Sequence, residues 1–369
     1  MFKYHLSTGT LTIQPHAGNW SPDALFEIAE RRNPKRAFLF VSKALGRHIP
    51  VAPRTMKHAY RDLAQQIPAG LPGPVLFIGM AETAVGLAAG VHREYCRTRG
   101  DAVLITSTRH PVDGKLMCEF VEAHSHATDH LIYWPEDPEL ATMARYARSL
   151  VLVDDEATTG NTFANLLAEL PKAGLSQLQH VCTVTLTDWS GNALAGKSPF
   201  PVTPIALMTG EWKWDPKPEA IPPVMPAVNV TARGTVPLSQ RQDWGRLGAG
   251  AGSGCKAPPT ARPALLGERI LVLGSGEFVW PPFLLAEQLE QQGGEVKFSS
   301  ITRSPIAVGM AISNALSFSD NYGLGIPNFA YNIHPEHYDR IIVCVETPAD
   351  SLDPALCQSL RSVEVITYA

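Results

Sequence analysis

Two α/β domains joined by a linker are what this sequence predicts, on three observations. A short apolar run, then a glycine- or hydroxyl-rich turn, then an apolar-periodic helix recurs at residues 75–93, 150–170 and 269–292. That recurrence is the pattern of parallel strands connected through helices. The stretch 245–263, GRLGAGAGSGCKAPPTARP, reads as a flexible and then stiff linker. At 369 residues the chain is long enough to bury two cores.

Composition narrows the class. With 31 Lys and Arg against 35 Asp and Glu, the formal charge of −4 gives no reason to expect nucleic acid or an acidic membrane surface as partner. No apolar stretch is long enough to span a bilayer, and Met1 to His5 lack a signal-peptide core. The six cysteines, at 96, 118, 182, 255, 344 and 357, form no Cys-x-x-Cys pair. Scattered thiols of this kind fit a reducing compartment better than a disulfide framework or a zinc site, so the protein is expected to be cytoplasmic.

Along the chain, residues 11–13 are β-prone. Ser21-Pro22-Asp23 reads as a helix N-cap with proline in the first turn, starting a helix through Arg32 that Asn33-Pro34 stops. Residues 36–41 form a strand. The turn after it carries Lys43, Arg47 and His48 and ends at Pro50. These three groups are either solvated surface charge or ligand contacts. A helix follows over 54–66.

Residues 75–78 are the first strand of a buried parallel sheet. Gly79, Met80, Ala81, Glu82 and Thr83 lead from it into a helix over 85–93, which presents backbone N–H groups to an anion. A strained or cis non-proline peptide is expected in this loop, since such backbone gathers at ligand clamps. After a strand at 102–105, a polar stretch runs to Leu150 and holds Arg109, His110, Lys115, His124 and His126. So many functional groups in a compact domain suggest a lid. With Glu119 and Glu122 nearby, His124 and His126 leave a metal site open, although no spacing fixes a third ligand.

The chain is organised around residues 150–162. Residues 151–153 form a buried strand, and Asp154 and Asp155 stand at its carboxyl end. Thr158, Thr159, Gly160, Asn161 and Thr162 then turn into a helix marked by Phe163, Leu166, Leu167 and Leu170. Unpaired N–H groups at a helix start, threonine hydroxyls and a glycine allowing close approach make a phosphate cradle. The carboxylates are placed to hold ribose hydroxyls or a magnesium ion bridging them.

Residues 180–186 are a further strand, and 228–232 a last short one. Trp189, Trp212 and Trp214 suit packing better than stacking on a base. Beyond the linker, a strand at 269–273 precedes Gly274-Ser275-Gly276, which lacks the third glycine of a dinucleotide fingerprint. A helix over 281–292 and a strand over 295–301 follow. Thr302-Arg303-Ser304-Pro305 then offers an anion turn before a helix over 306–316, and a strand at 339–345 closes the domain.

The segment Val-Asp-Asp-x-x-Thr-Thr-Gly-x-Thr at 153–162 resembles the phosphoribosyl-pyrophosphate (PRPP) motif of type I phosphoribosyltransferases. Glu156 departs from the apolar residue usual after the acidic pair. With the Thr-Arg-Ser-Pro tetrad, the chain resembles an orotate-like type I phosphoribosyltransferase carrying a C-terminal TRSP domain, of the kind associated with tellurium-resistance (Ter) stress systems. The resemblance covers almost the whole chain.

That resemblance implies a type I phosphoribosyltransferase-like parallel sheet with a hood over 1–235, a linker over 236–263, and a second smaller Rossmann-like α/β domain over 264–369. It implies a pentosyltransferase that moves phosphoribose from PRPP to an unidentified base-like acceptor with Mg²⁺, making a nucleoside-like metabolite. Thr158 to Thr162 would hold the 5-phosphate. Asp154 and Asp155 would hold the ribose hydroxyls and, indirectly, Mg²⁺. Gly79, Met80, Ala81, Glu82 and Thr83 would take the pyrophosphate, with Lys43, Arg109, His110 and Lys115 closing over it. Arg47, His124, His126, Thr302, Arg303 and Ser304 are further ligand contacts. A homodimer is expected. The rivals are a PRPP sensor that binds without transfer, and a partner-binding scaffold centred on the C-terminal domain.

Overall fold

The computed structural model describes residues 1–31, 36–121, 130–221, 223–226, 231–239, 241, 243–252, 255–260 and 262–368. The chain opens with an antiparallel hairpin of β1 (Phe2–Leu6) and β2 (Gly9–Gly18). The helix expected through Arg32 is a single turn, α1 (Pro22–Leu25), which Ser21 caps by accepting from the Ala24 amide. It gives way to strand β3 (Phe26–Glu30), paired antiparallel with β4 (Phe38–Ser42). Phe26 and Ile28 are buried and Glu27 is exposed, so the segment has a strand's alternation. Pairing with β4 overrides the helix start. This hairpin is the hood.

The large sheet is built from β5 (Val75–Gly79), β6 (Ala102–Thr106), β9 (Ser149–Val153), β11 (His180–Asp188) and β12 (Val202–Pro216), all parallel. Helices α2 (Pro53–Gln66), α3 (Val85–Tyr95), α4 (Pro138–Arg145) and α5 (Asn161–Glu169) lie among them in sequence. An antiparallel ribbon, β7 (Leu116–Phe120) with β8 (His130–Tyr133), occupies the polar stretch read as a lid. The short β10 (Glu156–Ala157) pairs with β11. Together with β13 (Ala249–Gly250), the sheet runs β1-β2-β12-β11-β9-β5-β6-β13, with antiparallel edges on a parallel centre.

Strands β5 and β9 are buried along their whole length, as their unbroken apolar runs require of central parallel strands. They are neighbours, and Gly79 pairs with Val153. Their carboxyl ends are therefore level, which brings the 79–83 loop beside the 154–162 turn. A crevice at the carboxyl ends of parallel strands is where such sheets bind ligands.

The C-terminal part holds a four-stranded parallel sheet ordered β15-β14-β18-β19. Its strands are β14 (Arg269–Ser275), β15 (Glu295–Ile301), β18 (Arg340–Val345) and β19 (Val363–Thr367), with α6 (Trp280–Gln291) and α7 (Pro354–Ser359). A hairpin of β16 (Ala315–Ser319) and β17 (Pro327–Tyr331) is inserted. The helix expected over 306–316 does not form. Gly309 and Met310 have φ of +129° and +52°, outside helical backbone. The segment instead lies along the hood, where the Ala307 and Ala311 amides donate to the Glu30 and Ile28 carbonyls at 3.0 and 3.1 Å. Most of the strand expected at 228–232 falls outside the described residues, and Thr231 and Ala232 are irregular.

The linker reading also needs correction. Trp244 and Arg246 are 1% and 0% exposed, and β13 extends the large sheet beside β6. Gly245, at φ +142°, lets the backbone run against Thr106: a Cβ there would lie 2.8 Å from Thr106 Cγ2. The glycines serve close approach rather than flexibility.

One apolar core passes through both parts, joining Met56 and Tyr60 of α2 to Val279 and Phe283 near α6. Val51 and Phe298 exchange backbone hydrogen bonds at 2.8 and 2.9 Å. All six cysteines are free thiols. Among the described residues no helix is long and apolar enough to cross a membrane.

Candidate active site

A cleft of about 640 Å³ opens above the carboxyl ends of β5 and β9. Its floor is the acidic pair. Asp155 accepts the Thr83 hydroxyl at 3.1 Å, and the Asp155 amide donates to Asp154 Oδ1 at 2.9 Å. These bonds tie the acidic turn to the 79–83 loop. Burial, then the neighbouring Glu156 carboxylate, raises the Asp155 pKa.

Beyond the floor, Gly160 caps α5 in the left-handed region at φ +68°. A Cβ there would lie 3.2 Å from the Leu194 amide nitrogen. Thr158 and Thr162 line the cleft, while Thr159 and Asn161 face Lys197, whose ammonium donates to the Thr159 carbonyl and the Asn161 side-chain oxygen. Gly160→Ala is expected to lose about 1–2 kcal/mol for the left-handed backbone alone. Thermal denaturation reads the loss, and an unchanged midpoint would contradict it.

The 79–83 loop carries the expected unusual backbone, a cis peptide between Ala81 and Glu82. Gly79 is needed for packing, since a Cβ there would lie 2.4 Å from Ala88 Cβ on α3. The Ala81 amide donates to Ser107 Oγ at 2.8 Å, and Ser107 Oγ meets His130 Nδ1 at 2.9 Å. Glu82 projects into the cleft, bound by Arg47 Nη2 at 2.9 Å and Arg303 Nε at 3.2 Å. Burial alone would raise the Glu82 pKa, but Arg47, Arg303 and Arg109 more than offset it and the carboxyl is held low.

The C-terminal part closes this side. Arg47 also donates from Nη1 to the Gly276 carbonyl and Ser300 Oγ, both at 3.0 Å. Glu277 reaches across to the base of the polar stretch, accepting the Thr108 hydroxyl at 2.6 Å and the Arg109 amide at 2.7 Å. Arg246, from the supposed linker, lies between Glu277 and Glu346, at 2.9 Å and 2.7 Å, with all three side chains essentially fully buried. Burial would push the Glu277 carboxyl up, but Arg246 and then His110 hold it down at about 2.

Thirteen expected residues therefore meet at one cleft: Asp154, Asp155, Thr158, Thr162, Met80, Ala81, Glu82, Thr83, Arg47, Arg109, Thr302, Arg303 and Ser304. Others lie elsewhere. Lys43 pairs with Glu27 at 3.2 Å on the hood, and Lys115 is exposed beside β7. His110 turns into a separate cavity and stacks on Tyr322 at 4.2 Å. His124 and His126 lie outside the described residues. Trp189 and Trp212 pack on the hood rings Phe40 and Phe38, as the packing interpretation expected.

Sequence reasoning missed His130, Glu277 and Arg246, and it left Glu156 unexplained. Glu156 accepts both terminal nitrogens of Arg36, whose guanidinium also lies over the Phe38 ring at 5.0 Å. The pair fastens the hood to the acidic turn. No local signal could have joined residues this far apart in the chain.

Residues 25–211, just over half of the chain, match the phosphoribosyl transferase family PRTase_2. Residues 257–360 match the TRSP domain found C-terminal to it. The chain belongs to this family. It is a phosphoribosyltransferase, and so a pentosyltransferase, with a TRSP domain. No curated protein matches it in sequence.

Among solved structures, the phosphoribosyltransferase is similar to adenine phosphoribosyltransferase from Rhodothermus marinus, with 15% identity over 50% of this chain and 94% of that one and a TM-score of 0.34. Orotate phosphoribosyltransferase from Aeropyrum pernix gives 15%, 51%, 89% and 0.32. Adenine phosphoribosyltransferase from Saccharomyces cerevisiae gives 12%, 49%, 93% and 0.31. These are remote likenesses, and membership rests on the family match.

Proposed function

We propose that the cleft binds PRPP and transfers its phosphoribosyl group to a planar, base-like acceptor, releasing pyrophosphate. The 5-phosphate lies in the turn from Thr158 to Thr162. The ribose hydroxyls lie on Asp154 and Asp155, and the diphosphate lies against the 79–83 loop. What supports this most is that the acidic pair, the helix-start turn and the second loop share one crevice, tied by Thr83 and Asp155.

Transfer at the anomeric carbon builds positive charge on the sugar as the diphosphate leaves. Two carboxylates beneath the ribose stabilise that charge, and N–H groups of the two turns hold the departing and remaining phosphates. Enclosure beneath the hood keeps water from competing with the acceptor. Arg109, positioned through its amide by Glu277, lines the cleft and stands near enough to Glu82 to lower its pKa.

Magnesium suits this donor set. Among the described residues no three His, Cys, Asp or Glu side chains converge as a metal cage. Mg²⁺ commonly takes one or two carboxylates and completes its shell with water and substrate phosphate. Asp154 and Asp155 would hold it, directly or through water. When bound, the ion would neutralise the diphosphate.

The product is a nucleoside-like metabolite of a bacterial stress-response system, a role supported by the TRSP domain. The test is PRPP consumption against nucleobases and small carboxylated heterocycles, with mass detection of product. Pyrophosphate release with an acceptor–phosphoribose adduct is expected. PRPP binding without turnover for any acceptor would favour a sensor, and no PRPP binding would overturn both.

A further inference from the structure

The TRSP domain has its own anion turn, and that turn faces the same cleft. Thr302, Arg303 and Ser304 line it opposite the acidic floor. Arg303 is tied to the 79–83 loop itself, its Nε lying 3.2 Å from Glu82 Oε2, and its side chain is only 10% exposed. Arg47 holds the other oxygen of the same carboxylate. One buried carboxylate between two guanidinium groups leaves a formal excess of one positive charge beside a loop that presents backbone N–H groups.

A second observation points to a ligand at this place. His48 follows Arg47, lines the cleft and is 6% exposed, yet its Nε2 is buried without a hydrogen-bond partner. Native interiors rarely leave such an atom unmatched, because its desolvation is uncompensated. The ring lies edge-on to Tyr331 at 5.8 Å, and the His48 carbonyl accepts from Asn332 Nδ2 at 2.9 Å. Burial and Arg47 hold the imidazole pKa down at about 3, so the ring is neutral and offers a single N–H.

We infer that the TRSP domain completes the diphosphate subsite, with Arg303, and His48 beside it, binding the pyrophosphate moiety of PRPP and free pyrophosphate after transfer. The inference rests on the PRPP reading of the cleft. A planar guanidinium presents paired donors to phosphate oxygens, which an ammonium does not. The location favours the leaving group over the acceptor, because Arg303 is joined to Glu82 in the loop that takes the diphosphate. The subsite is then whole only when both domains are present, which gives the tetrad a role in substrate binding.

Calorimetry on the full-length protein with Mg²⁺ and three probes tests this: PRPP, inorganic pyrophosphate and ribose 5-phosphate. Arg303→Gln is expected to weaken PRPP and pyrophosphate on the order of 10- to 100-fold, the range for a hydrogen bond to a charged group. Ribose 5-phosphate affinity is expected to stay unchanged, since the cradle at 158–162 is untouched. His48→Ala should weaken pyrophosphate by roughly 3- to 10-fold with the same selectivity.

Arg303→Lys keeps the charge beside Glu82 and covers a failure of the Gln variant to fold. It should fall between wild type and a 10-fold loss, about the lower bound above. Wild-type pyrophosphate affinity in either Arg303 variant, or an equal loss for all three probes, overturns the inference. If wild type binds none of the probes, the PRPP reading fails. If it binds all three and Arg303 alone is silent, that reading survives without this one.

Discussion

Replacing Asp154 and Asp155 together by Asn abolishes pyrophosphate release from PRPP in the presence of acceptor and leaves the fold intact. On the proposed reading, the two carboxylates are the groups that answer positive charge on the ribose ring. Loss of a single preorganised electrostatic group commonly costs about 10²–10³-fold in rate. Removal of both charges, and of the magnesium donors with them, exceeds that. Asn keeps the shape and an oxygen acceptor, so the hydroxyl of Thr83 and the amide of Asp155 retain their partners. Unchanged circular dichroism with no turnover is the expected pair of results. Wild-type turnover in the double variant would remove these residues from the mechanism.

The pH profile should show the same group. Burial and Glu156 raise the Asp155 pKa, so its charge is lost on acidification at a pH above the ordinary carboxylate range. Turnover is therefore expected to fall on that acid limb.

Glu277→Ala is expected to have the largest effect on stability. It leaves Arg246, which is fully buried, with Glu346 as its remaining carboxylate, and it strips the acceptor from Thr108 and the Arg109 amide. Removing one member of a buried ion pair costs about 3–5 kcal/mol, because the partner charge stays buried. Denaturant unfolding measures the loss, and an unchanged midpoint would contradict the buried network.

This contribution depends on pH in a definite direction. Glu277 titrates near 2 in the folded chain against an ordinary value of 4.5. The stability it provides is complete above 4.5 and is lost as pH falls toward 2. Glu277→Gln should flatten that acid limb.

Legibility in the sequence followed distance along the chain. The turn at 154–162 could be read because a phosphate cradle needs only a strand end, a glycine at positive φ and the first amides of a helix, all contiguous. The 79–83 loop was legible for the same reason. By contrast, 26–30 and 306–316 carried apolar residues at spacings that either secondary structure accepts. Pairing of β3 with β4, and the positive φ of Gly309 and Met310 beside the hood, decided them. Gly245 looked like linker because glycine frees an exposed chain. In the fold it admits a backbone against Thr106.

By itself, then, the sequence determined the family, the two α/β parts and the residues that can hold a phosphorylated ribose. Those features depend on local backbone geometry and on short apolar patterns. Only the tertiary structure decided that Arg47, Glu82, Arg246, Glu277 and Arg303 meet, and that Lys43 and His110 do not join them. Ion pairs answer to separation in space, and residues 82 and 303 become neighbours only after β5 and β15 have been placed by their sheets.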